Sequence, residues 1–396
     1  MSWLVSLLTM VRIYATISLI PLSITETFPT VHFQFMAEKR ITIKQVAQEA
    51  GVSTQTVSRV LNERPDVSDT TRQRVTAIIT RLGYEPSAIA RSLIRGRSRT
   101  LGIVASGLEY YGPTRILVGV EQQVHALGYS LLLSLLHEPG SAEGQKIVSS
   151  LLSLRVEGII WAVPEIDDTS AWLRDRLAQV SIPVVFTNTQ PGEGFSTISM
   201  DNRLGARQAV GYLVETGCRC IGILSGPLSW WEARQRWQGW QDALQSAGLP
   251  AEERQVVHGD WTAESGGRGL EQLLERFPEM DAVFACNDQM ALGVLQAANR
   301  LGRRIPLDLA VVGFDDIPEA PFFLPSLTTI RQPLNDLGAS AVRELHRLIE
   351  ARHSSTGQAR PASLWLQTTL VPRDSTSHRI HSRSFLAALG GQVQDG

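Results

Sequence analysis

The stretch "VAQEAGVSTQTVSRVLN", Val46–Asn62, decides how the amino-terminal part of this chain folds. Thr42 and Gln45 just before it form a T-x-x-Q capping pattern, and apolar Val46, Ala47 and Ala50 follow at helical spacing, so a helix starts here. Gly51 can take the left-handed conformation that ends it, and Ser53 can cap a second helix running to about Leu61. Val57 and Val60, with Val46 and Ala47, supply small apolar faces that lock two short helices at a steep angle. The second helix gathers Thr54, Gln55, Ser58 and Arg59 at one end instead of scattering them in solvent. That end is shaped to touch something.

A third helix fits "SDTTRQRVTAIITRLGY", capped by Ser68, apolar at Val75, Ile78, Ile79 and Leu82, and closed by Gly83. Helix, tight turn, helix and a supporting third helix make a helix-turn-helix unit, whose second helix enters a DNA major groove amino-end first. Thr54, Gln55 and Arg59 would then face base edges, Gln pairing with adenine and Arg with guanine. Ser53, Ser58, Asn62, Ser68 and Thr71 suit phosphates, which position without reading sequence. The plainer alternative is a structural hairpin with a solvated polar face. Charge argues against it: Ala37–Arg99 carries twelve Lys/Arg against six Asp/Glu in a chain of net charge −2, which leaves about −8 for the rest. A basic head on an acidic body implies a polyanion partner for the head alone.

Beyond Thr100 the rhythm changes. Short apolar runs, "LGIVAS", "YSLLLSLL", "VEGIIWAV", "PVVFTN", "CIGILSG", "DAVFACND" and "LAVVGFDD", alternate with helical patterns such as Arg203–Thr216 and Gln289–Leu301. Strand and helix in turn mean parallel sheets covered on both faces, and there are too many strands for one compact sheet. Two doubly wound subdomains with a cleft at the strands' carboxyl ends are expected. Residues directly after these strands suit a hydroxylated ligand such as a sugar, which needs polar partners for its hydroxyls and an aromatic face for its C–H surface. They are Asn188, Trp261, Asn287, Asp288 and Asp315, with Arg236 opening a helix after "GILSGP". An Asn or Asp at a strand end also caps the following helix very often, so each alone is ambiguous.

"TIKQVAQEAGVSTQTVSRVLNERPDVSDTTRQRV", followed by "GYEPSAIARSL", closely resembles the DNA-binding head and hinge of the lactose/galactose repressor family, and the likeness continues along almost all of Ile41–Arg373. The resemblance implies a body like the periplasmic sugar-binding proteins, with "STISMD" (Ser196–Asp201) and "SLTTIRQP" (Ser326–Pro333) as crossings between subdomains. It adds Ile43 to the DNA-binding set and makes "SAIARSLI", Ser87–Ile94, a hinge that folds on DNA, Ser87 and Arg91 included, with Leu93 wedged into the minor groove. Ser87 replaces the Asn of many relatives, and an ordinary linker is the simpler reading. "RGRSR", Arg95–Arg99, would track phosphates or be solvated. In the cleft the resemblance carries onto Arg236, Trp261, Asn287, Gln289 and Asp315 as ligand-holding residues, with Trp261 stacking on a sugar ring and Tyr110, Gly112 and Pro113 in a loop over it. Asn188 stands where a similar member of the family has Asp, and Glu232 where it has Ser, which leaves the identity of the sugar open.

The implied protein is a cytoplasmic homodimeric repressor of sugar-utilisation genes, released from operator DNA when a galactoside-like sugar shifts the body between two states. A corepressor-type member, which binds DNA better with its ligand, is one alternative, and an exported sugar-binding transport protein is another that leaves the head unexplained. Catalysis is not expected: "ESGGRG", Glu264–Gly269, follows no strand directly, no phosphate loop or nucleophile elbow occurs, and no His pairs with a plausible nucleophile. No cofactor is implied, and Cys218, Cys220 and Cys286 form neither a disulfide framework nor zinc-ligand spacing. Expected boundaries are 1–36 for a misassigned or disordered extension, because the apolar "MSWLVSLLTMVRIYATISLIPL" lacks a basic front and Met36 opens the head; 37–86 for the head; 87–99 for hinge and linker; 100–374 for the body; and 375–396 for a disordered tail too glycine-rich for a coiled coil. Within the body, 100–198 and 334–361 form one subdomain and 199–330 and 362–374 the other.

Overall fold

The computed structural model describes residues 41–62, 64–84, 97–137, 141–166, 176–192, 194–354 and 359–376. The expected extension 1–36 and hinge residues Ser87, Arg91 and Leu93 lie outside them. The chain divides into two compact units, Met1–Pro86 and Ser87–Gly396.

The head holds α1 (Ile43–Ala50), α2 (Thr54–Leu61) and α3 (Asp69–Leu82). The Thr42–Gln45 capping box is formed in both directions, with Thr42 N donating to Gln45 Oε1 at 2.8 Å and Gln45 N to Thr42 Oγ1 at 3.4 Å. Gly51 and Gly83 close α1 and α3 at φ of 61° and 63°, where a Cβ would be strained. Val46, Ala47, Ala50, Val57, Val60 and Val75 form the small core. Ile78, Ile79, Leu82 and Ile43 pack on it partly buried.

The body contains two six-stranded sheets. The first has the order β11-β5-β4-β3-β1-β2, with β1 at Thr100–Ala105, β2 at Ser130–Leu135, β3 at Gly158–Ala162, β4 at Val184–Thr187, β5 at Ser196–Met200 and β11 at Ser363–Leu366. The second runs β12-β10-β9-β8-β6-β7, with β6 at Ile221–Ser225, β7 at Val256–His258, β8 at Ala282–Ala285, β9 at Ala310–Asp315, β10 at Thr328–Arg331 and β12 at Thr369–Val371. Pairing is parallel except for β10 with β12. Helices cover both sheets, which is why the central strands read as unbroken apolar runs: β4, β6, β8 and β9 are buried at every residue.

Three passages join the subdomains, at the ends of β5, β10 and β11. The expected crossings at Ser196–Asp201 and Ser326–Pro333 are two of them. The subdomain limits shift, however. β5 pairs with β4 through Ile198 and continues to Met200, and β11 pairs with β5 in the first sheet, Ser363 opposite Thr197 and Leu366 opposite Met200. Residues 363–366, expected in the second subdomain, therefore belong to the first, because the open edge of β5 supplies them with backbone partners.

Of the expected disordered tail, 375–396, the first two residues need correction, and 377–396 lie outside the described residues. Ser375 and Thr376 are fully buried: Ser375 Oγ accepts from Thr328 N at 2.8 Å and donates to Val311 O at 2.7 Å, and Thr376 Oγ1 lies 2.7 Å from Thr328 Oγ1. Ser375 thus satisfies one backbone group of β9 and one of β10.

Arg97, expected to track phosphates or stay solvated, instead pairs with Glu157 at 2.9 Å and Glu350 at 2.8 Å and donates to Tyr129 Oη at 3.1 Å. The linker's end is thus tied to the first subdomain. Among the described residues no helix is long and apolar enough to cross a membrane, and no cluster of three potential metal ligands occurs.

Candidate functional site

In the head, α2 presents Thr54, Gln55 and Arg59 exposed, with Ser58 half-buried beside them and Val57 and Val60 buried in the core. Arg59 is 3.4 Å from Asp66, an exposed contact that costs little to exchange for another partner. The residues expected to bind phosphates also shape the unit. Ser53 Oγ accepts from Thr56 N at 3.0 Å, Ser68 Oγ accepts from Thr71 N at 3.4 Å, and Asn62 Nδ2 donates to Ser58 O at 2.7 Å. The helix starts still present free backbone N–H groups, which suit phosphate oxygens.

In the body, a cavity of about 380 Å³ opens between the two subdomains at the carboxyl ends of their strands. Ten of the eleven cleft residues singled out from the sequence line it: Tyr110, Gly112, Pro113, Asn188, Glu232, Arg236, Trp261, Asn287, Gln289 and Asp315. Sequence reasoning missed others, notably Trp230, Thr187 and Gln332. Trp230 stands two residues before Glu232, and Gln332 lies inside a crossing already identified, so both had a positional signal that residue chemistry alone did not raise.

Three lining residues, Asn188, Trp261 and Asp315, hold positive φ of 48°, 73° and 125°. Such backbone is unfavourable for side-chain-bearing residues and persists only where the surroundings impose it. Each turns the chain sharply at a strand end or loop and aims a side chain at the cavity that a relaxed turn would aim elsewhere. Trp261 is held from several sides: its carbonyl accepts from Asn287 Nδ2 at 2.9 Å, Trp230 meets it edge-on with centroids 5.9 Å apart, and Gly226 lies so close that a Cβ there would sit 2.1 Å from the indole. Tyr110 packs edge-on against Trp230 at 5.4 Å, completing an aromatic wall from both subdomains.

Arg236 is buried and locked. Its Nε donates to Asn202 Oδ1 at 2.8 Å, its Nη1 donates to the Cys286 carbonyl and lies 3.9 Å from Asp315, and its guanidinium stacks 3.9 Å over Phe314. Burial pushes the Asp315 carboxyl up to about 6, opposed by the Arg236 charge and by Gln332 Nε2, which donates to it at 2.6 Å. Burial likewise pushes Glu232 up to about 7, opposed by a hydrogen bond from its own backbone N–H and then by the Arg236 charge. Asn188 Oδ1 accepts from Met200 N at 3.1 Å. Asn287 lines the cavity, yet its amide is spent on Trp261, on Gln289 Oε1 at 3.0 Å and on capping the helix Asp288–Arg300 through Met290 N at 2.9 Å. Asp288, suggested beside it from the sequence, turns away to accept from Thr329 Oγ1 at 2.6 Å and Ile317 N at 2.9 Å and does not line the cavity.

Two further expectations resolve here. "ESGGRG" lies in the helix Ala263–Arg276, where a Cβ on Gly266 would come within 2.1 Å of Met290 O and one on Gly269 within 2.2 Å of Leu224, so Gly266 and Gly269 serve close packing. One histidine does meet a serine: Ser225 Oγ is 2.7 Å from His258 Nδ1. That serine is fully buried and also donates to Gly226 O, which leaves it no approach to a substrate.

A helix-turn-helix head joined to a two-subdomain body with a polar, aromatic-walled cleft defines a ligand-responsive transcriptional regulator. Residues 42–87 match the family model "Bacterial regulatory proteins, lacI family", and 210–376 match "Periplasmic binding protein-like domain". The chain is 35% identical over 357 residues to the lactose operon repressor of Escherichia coli (strain K12), covering 90% of this chain and 98% of that one. It is 34% identical over 339 residues to the HTH-type transcriptional repressor PurR of Yersinia pestis (strain Pestoides F), covering 85% and 97%. The structure superposes on that of the lac repressor dimer bound to operator and the anti-inducer ONPF with a TM-score of 0.78 at 32% identity, covering 85% of this chain and 99% of that one. This protein belongs to the lacI family of DNA-binding transcriptional repressors.

Proposed function

We propose that this repressor, as a cytoplasmic homodimer, binds a palindromic operator through Thr54, Gln55 and Arg59 of each head and is released by a sugar bound in the cleft. It is a binding protein and not an enzyme. The observation that carries the reading is the convergence, between two subdomains, of a fixed arginine, carboxyls, amides and an aromatic wall, the combination that hydroxyls and sugar C–H faces require. Asn188, Arg236, Gln289 and Asp315 bind hydroxyls, Trp261 with Trp230 packs the ring, and Asn287 keeps Trp261 in place. Tyr110, Gly112 and Pro113 close over the ligand. In the hinge, Ser87 and Arg91 contact DNA and Leu93 enters the minor groove.

Because the ligand touches both subdomains, its binding energy depends on their relative position, which is the differential interaction a population shift needs. Coupling of about 1–3 kcal/mol between sugar and operator is typical of such systems. The test is operator binding by fluorescence anisotropy, titrated with galactosides, glucosides and free sugars. At least one should weaken binding roughly five- to hundredfold. If none changes binding, sugar induction is wrong. A ligand that tightens binding would place the protein with corepressor-type members of the family.

A further inference from the structure

Glu232 stands out in the cleft by what it lacks. It lies in the first turn of the helix Trp231–Ser246 and is only 8% exposed. Among the described residues, its Oε2 and the Oε1 of Gln332 are buried oxygens lining this cavity without a hydrogen-bond partner. An unpartnered buried acceptor is costly, so a ligand that donates to it gains the whole of that deficit.

The charged groups around Glu232 do not supply the missing donor. Arg236, one turn along, spends its Nε on Asn202 and its Nη1 on Cys286 O. Arg234 directs Nη1 to the carbonyls of Leu228 and Ser229 at 3.0 and 2.6 Å. Glu165, on the segment after β3, opposes ionisation, and Glu109 and Asp315 line other walls of the same cavity. Glu232 also sits where the subdomains meet: the adjacent Trp231 N donates to Glu165 O at 2.9 Å, and Trp230 bridges to Ile166.

We propose that Glu232 is the specificity-determining residue of this cleft: ligand hydroxyls donate to its carboxylate, so that binding ionises it and releases its proton to solvent. The inference rests on the sugar reading above and deepens it. Among the described residues, the unfilled acceptors Glu232 Oε2 and Gln332 Oε1 and the one unfilled donor, Trp261 Nε1, suit hydroxyls, which donate and accept. In the empty protein burial holds the carboxyl up to about 7, so near neutral pH much of it is protonated. Binding that requires the ionised form then weakens by about tenfold for each pH unit below that value and levels off above it.

The experiment is a tryptophan-fluorescence titration with methyl β-galactoside, methyl β-glucoside, galactose and glucose between about pH 5.5 and 8.5. The wild-type association constant for a binding sugar should rise about tenfold per unit up to about pH 7 and then flatten. Glu232→Gln and Glu232→Ser should both be flat through neutrality, keeping only a slope in the more acid range where Asp315 titrates. A flat wild-type profile, or a slope that survives in both variants, overturns the assignment while leaving sugar binding intact. If no sugar binds, the reading of the cleft falls and this assignment with it. A ¹³C titration of the Glu232 carboxyl in the sugar-free protein, assigned by its loss in Glu232→Gln, should show a midpoint near 7. A midpoint in the ordinary glutamate range overturns the proposal without reference to any ligand.

Discussion

Arg236 carries its charge into an almost dry setting, and three partners share it: Asn202, the Cys286 carbonyl and, 3.9 Å away, Asp315. Removing it leaves the buried Asp315 carboxyl with the Gln332 hydrogen bond but without an opposing charge. Arg236→Ala is expected to lower stability by about 3–5 kcal/mol in urea unfolding, beyond any effect on ligand. Asp288 illustrates the opposite charge balance. Burial first and the neighbouring Asp315 charge second push its carboxyl up to about 7. The folded state therefore holds the proton more tightly than the unfolded chain, where an aspartate titrates near about 3.9. Its contribution is fully present below that lower value and is lost as pH rises towards 7. Glu232 and Asp315 shift in the same direction. The urea midpoint should be higher at about pH 5.5 than at pH 7.5, and Asp288→Asn should narrow that difference; an unchanged difference would remove Asp288 from the explanation. The sequence showed Asn287 and Asp288 as equal candidates after one strand. Nothing local says that the first would hold Trp261 and the second would turn towards Thr329.

Helix ends were legible because their causes are local. Thr42, Ser53 and Ser68 cap, and Gly51 and Gly83 terminate, where the order of residues predicts. Thr42→Ala should cost about 1 kcal/mol and speed hydrogen exchange selectively in α1. Helix pairing was not legible. The helices Ala263–Arg276 and Asp288–Arg300 approach so closely that a Cβ on Gly293 would fall 1.8 Å from Ala263 O. Across the first subdomain, Gly119 and Gly338 do the same for the helices Tyr111–Ala126 and Leu334–His353. Backbone cannot yield as a flexible side chain can, so Gly293→Ala should destabilise by about 1–3 kcal/mol or more, measured as a lower urea midpoint with an unchanged slope. Nothing in the local sequence marks these glycines, because their partners lie on another helix.

Charge separates the two units of the chain. The basic head should bind DNA with a steep inverse dependence on salt, whereas the cleft should respond to sugar almost independently of it. Arg59→Ala, which removes a base-reading candidate from an exposed face, should weaken operator binding by about 1–3 kcal/mol and reduce the preference over a scrambled duplex. Equal attachment of the wild type to palindromic and scrambled oligonucleotides would remove the basis of the proposed function. The amino-acid pattern already placed a basic three-helix head before an acidic α/β body, because net charge and hydrophobic period survive averaging over many residues.

Local order settled the helix-turn-helix, the apolar strands and the polar residues at strand ends, since capping, periodicity and the geometry of open parallel sheets act over short spans of chain. Long-range pairing settled the rest. It placed β11 on the edge of β5, buried Ser375 and Thr376 against β9 and β10, tied Arg97 to Glu157 and Glu350, and brought Gln332 and Trp230 into the cleft. The first two depend on which distant backbone groups remain unpaired once the sheets have formed, and the others on side chains that the chain's return passages bring together, conditions that no neighbouring residue sets.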